Sequence, residues 1–167
     1  MDDAVTLEMQ SGFGLATVMA RKSATDADLA ALPDIPFAAP GRCTGDTGLT
    51  TISIGPRAWL AFAGSGESQF AADLANALAG NASVSDQSGG YVIFKIGGAK
   101  ARKLLQRGVP IDLHPAAFPQ GSAATTVIAH IGVVLWQGDA DDAFNLAVFR
   151  SYAASFEHWF RTVAASL

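Results

Sequence analysis

The chain has 167 residues, half of them hydrophobic and only 16% charged, with 15 acidic and 11 basic side chains for a net charge of −4. That length suits one domain with a real core, and the mild acidity, with no basic block and no aromatics interleaved with Lys or Arg, excludes nucleic acid as an expected partner. The single cysteine, Cys43, cannot close an internal disulfide, which argues for a reducing compartment; the longest apolar run, from Val127 to Trp136, falls well short of the ~20 residues of a membrane span.

The charge content lies below the roughly 25% of an average soluble chain. Alanine, about a fifth of the residues, accounts for part of the shortfall; the alternative is a surface partly covered by a partner. The acidic start, Met1-Asp-Asp-Ala, lacks the basic and apolar segments of a secretory signal, so a cytoplasmic protein is expected.

Val5, Leu7 and Met9 alternate as in a short strand, which Ser11-Gly-Phe-Gly breaks. From about residue 12 to 46 the pattern is weak and holds Pro33, Pro36 and Pro40, so residues 1–46 read as an N-terminal arm and 47–167 as the domain. Thr47 to Ile54 and Trp59 to Ala63 read as strands around a Gly55-Pro56 turn. Ser65 is placed to cap the next helix, with Glu67 in its first turn and Phe70, Leu74 and Leu78 on one face; Gly80-Asn81 ends it. Ala82 to Ser85 and Tyr91 to Ile96 read as strands joined by a Ser88-Gly-Gly hairpin turn.

Gly97-Gly98 leads into a helix from Ala99 to Arg107, with Ala101, Leu104 and Leu105 inside and Lys100, Arg102 and Lys103 in water. A glycine pair before a helix can cradle phosphate. The spacing of a dinucleotide or P-loop motif is absent, which favours a tight strand-to-helix turn. A proline-rich loop follows from Val109 to Gly121. Ala123 to Trp136 forms two strands, or one bent near His130; 137–142 is an acidic turn with Asp139, Asp141 and Asp142; Phe144 to Phe149 is the last strand. Ser151 is placed to cap a final helix striped by Tyr152, Phe156, Trp159, Phe160 and Val163. The fold class is α+β, a mainly antiparallel sheet with helices packed on one face.

Chemistry is harder to find. Asp112 and His114 lie two apart in the proline-rich loop, which permits an acid–base pair or simply turn-forming hydrogen bonds. His114, His130 and His158 are far apart, and no zinc-ligand spacing, G-x-S-x-G elbow or calcium loop occurs. The residues themselves indicate no catalytic site and no metal site.

Several segments nevertheless carry a specific likeness: Asp86-Gln-Ser-Gly-Gly, Ile96-Gly-Gly-Ala-Lys-Ala-Arg, Pro110-Ile-Asp-Leu-His-Pro-Ala-Ala-Phe-Pro-Gln-Gly, Thr126-Val-Ile-Ala-His-Ile-Gly-Val-Val-Leu-Trp and Arg150-Ser-Tyr-Ala. Together they resemble the gamma subunit family of heterotetrameric sarcosine oxidase, over roughly residues 50 to 165. The resemblance implies a complex that demethylates sarcosine oxidatively to glycine and passes the one-carbon unit to tetrahydrofolate. It implies FAD, FMN, NAD and tetrahydrofolate on partner subunits, and none on this chain. It implies an alpha subunit as the neighbour, with beta and delta in the same complex. It also implies a fold similar to the first domain of the folate-binding aminomethyltransferase, the T-protein of glycine cleavage. Where that family carries aspartates near folate, this chain reads Gly132-Val-Val-Leu-Trp136, with Leu135 and Trp136 in their place. Two readings follow: a non-catalytic gamma subunit, or a free-standing folate- or small-molecule-binding protein. Asp112, His114, Arg150 and Tyr152 are the candidates for interface or ligand contact under either.

Overall fold

A computed structural model describes residues 4–46, 48–138 and 143–167, with the backbone alone for Glu67. Asp139, Asp141 and Asp142 of the expected acidic turn lie outside the described residues. The chain divides into two compact units, one of residues up to Ser11 with Gly90–Leu167, the other of Gly12–Gly89.

The first unit takes strands β1 (Thr6–Met9), β7 (Tyr91–Gly97), β8 (Ala123–Ile128), β9 (Ile131–Gln137) and β10 (Phe144–Phe149). They form an antiparallel sheet in the order β1-β7-β10-β9-β8. Strand period fixes the core. Ile96, Phe94 and Val92 lie opposite Phe144, Leu146 and Val148, and Leu146 and Val148 in turn face Leu135 and Val133. One face therefore presents an unbroken apolar ladder. Helices α3 (Ala101–Leu105) and α4 (Ala153–Ala164) cover it with Leu104, Leu105, Phe156 and Phe160.

The second unit takes β2 (Gly14–Ala20), β3 (Cys43–Gly45), β4 (Thr50–Gly55), β5 (Ala58–Ala63) and β6 (Ala82–Asp86), in the order β3-β4-β5-β2-β6 and all antiparallel. Helices α1 (Asp26–Ala30) and α2 (Glu67–Leu78) belong to it. Leu29, Leu74 and Leu78 pack with Ala16, Val18, Trp59, Ala61 and Ala82. The α+β class holds, with two five-stranded sheets where one was expected.

Residues 12–46 are not a meandering arm. β2 is paired on both sides, with β5 and β6, and is apolar at nearly every position. A strand of that kind lacks the alternation that marks a half-buried one. The prolines that followed lie in a loop fixed by side chains instead of a ladder. The Thr51 hydroxyl donates to the Pro36 carbonyl and accepts from Ala38 N at 3.0 Å, and Trp59 Nε1 donates to Ala38 O at 2.8 Å.

Three local readings change. Ser65 does not cap α2: Gly66 is the cap residue, left-handed at φ 92°, with no side-chain hydrogen bond. Ser151 lies in a 3₁₀ turn, Arg150–Tyr152, ahead of α4, which also starts without a side-chain cap. Ser88-Gly89-Gly90 is not a hairpin turn, because β6 and β7 belong to different sheets. There the Ser88 hydroxyl accepts from Leu15 N at 3.0 Å.

Candidate functional site

The loop carrying Asp112 and His114 is shaped by hydrogen bonds that use both side chains. His114 N donates to Asp112 Oδ1 at 2.8 Å, and Ala116 N donates to His114 Nδ1 at 3.2 Å. Both are turn-forming contacts of the kind Asx residues make. Ala117 N and Phe118 N both donate to the His114 carbonyl at 2.8 Å. The loop is then stapled to α3. Gln106 donates from Nε2 to Ile111 O and accepts at Oε1 from Leu113 N, each at 2.8 Å. Arg102 donates to the carbonyls of Leu113 and Phe118, and its guanidinium lies 5.0 Å from the centre of the Phe144 ring. Leu113 and Phe118 are thereby held in the core.

Outside this staple lies an open groove of about 760 Å³, lined by Ala99, Arg102, Lys103, Gln106, Arg107, Asp112, His114 and Pro115. Asp112 and His114 come together here. Arg150 and Tyr152 are not part of this lining. The sequence reading assigned Arg102 and Lys103 to the wet side of the helix and missed their groove. The available signal was charge spacing: from Gln87 to Ile111 the chain carries Lys95, Lys100, Arg102, Lys103 and Arg107 and no acidic residue.

Arg150 sits where β10 runs into the 3₁₀ turn. Its backbone N donates to Gly90 O at 2.9 Å and its Nη2 to Tyr91 O at 3.0 Å. Tyr91 and Phe149 face each other in the β7–β10 register and stack at 4.5 Å. Burial raises the Tyr91 pKa above its ordinary value of 10.0. Phe149 and Tyr152 stay half-exposed, at 48% and 52%. An Arg framed by Tyr and Phe is a composition enriched at protein interfaces.

The glycine pair before α3 is a packing device. Gly98 is left-handed at φ 102°, and a Cβ there would lie 2.7 Å from Ala4 O. His130 and His158 are exposed and on separate elements. Among the described residues no three His, Cys, Asp or Glu side chains gather as metal ligands. No helix among them is long and apolar enough to cross a membrane.

Comparison with known proteins gives a consistent set of likenesses. Residues 19–166 match the model of the "Sarcosine oxidase, gamma subunit family". The sarcosine oxidase subunit gamma of Corynebacterium sp. (strain P-1) is 32% identical over 113 residues, 67% of this chain and 55% of that protein. The chain thus spans about half the length of the curated relatives it matches. The heterotetrameric sarcosine oxidase of Corynebacterium sp. U-96, solved with pyrrole 2-carboxylate, contains a chain that superposes at a TM-score of 0.87. That likeness has 27% identity and covers 99% of this chain and 86% of that one. The glycine cleavage aminomethyltransferase T of Bartonella henselae superposes at 0.66 with 16% identity, over 94% of this chain and 45% of that one, a likeness of fold alone. Leu135 is fully buried in the apolar core of its unit.

Proposed function

The chain belongs to the sarcosine oxidase gamma subunit family, and from that premise we propose that it serves as the small, non-catalytic subunit of a heterotetrameric oxidase acting on sarcosine or a related N-methyl amine. On this reading it organises the large subunits and leaves the chemistry to them. Its neighbour is an alpha subunit, with beta and delta in the same cytoplasmic complex. FAD, FMN, NAD and tetrahydrofolate belong to those partners. The observation that carries the reading is the superposition of nearly the whole chain on one chain of a heterotetrameric sarcosine oxidase. Asp112 Oδ1 and His114 Nδ1 accept hydrogen bonds from the loop that carries them. Arg150 and Tyr152, beside the Tyr91–Phe149 stack, supply the contacts an interface uses. The free-standing folate-binding reading has only the likeness of fold behind it.

The test is purification of the tagged chain from its native cells, with mass spectrometry and an absorption spectrum of the eluate. Large partner chains and a flavin spectrum are the expected result. A colourless chain without partners that binds a reduced folate by itself would overturn the proposal.

A further inference from the structure

The cations on α3 and the turn that follows it are arranged at some cost. Lys103 and Arg107 stand four residues apart, both exposed and both lining the same groove. Like charges at that spacing repel. Among the described residues no carboxylate forms an ion pair with either; the ion pairs there are Arg57–Asp26 and Arg161–Glu157. Asp112, the acidic residue of the groove, accepts from His114 N. Arg107 Nη1 donates to Ser166 Oγ at 2.7 Å and to the Ser166 carbonyl at 3.4 Å, and its other N–H groups are left for a ligand. Lys95 has the acidic Glu8 as its cross-strand neighbour, whereas the groove offers Lys103 and Arg107 only Asp112.

We propose that this groove docks an acidic, extended segment of a partner polypeptide, with Lys103 and Arg107 as its charge contacts. The groove is open and is lined both by residues of α3 and the turn after it and by the 112–115 loop, so a stretch of chain can enter it from solvent. The spacing fits as well. Gln106 N donates to Arg102 O and Arg107 N to Leu104 O, so the chain keeps winding past the end of α3, and positions four apart on such a turn lie about 5–6 Å between Cβ atoms. Alternate residues of an extended strand lie about 6.6 Å apart on one side. Two carboxylates at i and i+2 of a docked segment therefore meet the two cations in register. Arg102 and Gln106 hold the opposite wall still, which reduces the entropy lost on docking.

The proposal rests on the reading of the chain as a subunit, and the experiment separates the two. The tagged chain is co-expressed with the other chains of its complex and washed at about 50 and 300 mM salt, across which Debye screening shortens markedly. Partner retention by the unaltered chain, falling several-fold at the higher salt, is expected. The K103E/R107E variant should retain less than about a fifth of the partner at low salt, whereas R21E/K22E, an equal charge change on the other unit, should retain it all. K103E alone, which leaves the Arg107–Ser166 bond intact, should lie between, and circular dichroism checks that each variant is folded. Full retention by a folded K103E/R107E overturns the groove and leaves the subunit reading standing, and so does equal loss in R21E/K22E. Saturable binding of inorganic phosphate to the isolated chain, abolished by K103E/R107E, would reassign the groove to a small anion. No partner at any salt would remove the subunit reading and the docking site together.

Discussion

The two units solve the same packing problem with different materials. In the unit of β1 and β7–β10, large side chains face each other across the core face of β7, β10 and β9, as at Phe94–Leu146–Leu135 and Val92–Val148–Val133, and aromatic rings extend it into the helices. Phe94 lies 5.2 Å from Phe156, and Phe118 lies 6.5 Å from Phe144. In the unit of β2–β6, comparable positions hold Ala16, Ala61 and Ala82. Alanines bury little area, and polar pins add to what they supply: Trp59 Nε1 to Ala38 O, Thr51 with Pro36 and Ala38, and Ser88 with Leu15. Both units anchor loops with hydrogen bonds, the first through Arg102 and Gln106, but the second, with alanines at its facing positions, leans on them more.

The largest expected effect breaks the apolar half of that contrast. Phe156 is fully buried and its ring neighbours Phe94, Trp159 and Phe160. Phe156→Ala should cost about 3–5 kcal/mol, the transfer term plus the cavity. Urea unfolding followed by circular dichroism measures it. A loss below about 1 kcal/mol would mean that α4 collapses onto the sheet without its central ring.

The polar half is tested by Trp59→Phe. The six-membered ring is kept, the tilted contact with Phe37 at 4.8 Å can persist, the smaller ring leaves part of the indole's space unfilled, and the bond to Ala38 O is lost. Leaving that carbonyl without its donor should cost about 1–3 kcal/mol. A neutral result would show that the loop of 33–40 is fixed by packing alone.

The same contrast explains what could be read in advance. β7, β10 and α4 were legible because their periods of two and 3.6 expose one apolar face each, and Phe156 and Phe160 took the expected core places. Tyr152, read into that stripe, is half-exposed, because the 3₁₀ turn takes it off the helix face. β2 was not legible, since it is apolar at nearly every position and so offers no alternation to read. α1 escaped because five residues carry too little pattern, although its signal was present in Thr25 and Asp28, three apart. Asp112 and His114 were legible as a pair, but their role required knowing that Gln106 and Arg102 bind the same loop.

The smallest effect concerns that short helix. Thr25 and Asp28 form a capping box, with Thr25 N and Oγ1 donating to Asp28 Oδ2 at 2.7 Å and Asp28 N donating back to Thr25 Oγ1 at 3.1 Å. The backbone donor of Thr25 first, and its hydroxyl second, hold the Asp28 carboxyl below its ordinary pKa of 3.8. A carboxyl with a depressed pKa when folded stabilises the folded chain above the unfolded pKa, and that contribution is lost as pH falls through the folded value. Asp28→Asn should therefore lower the melting temperature slightly at neutral pH, with the difference from the unaltered chain shrinking as pH drops below 3.8. A melting series from pH 2 to pH 7 reads this directly. A difference that stays constant with pH would mean that Asp28 caps α1 as a neutral acceptor, and that the charge on this unit's surface adds nothing to the hydrogen bonds that anchor it.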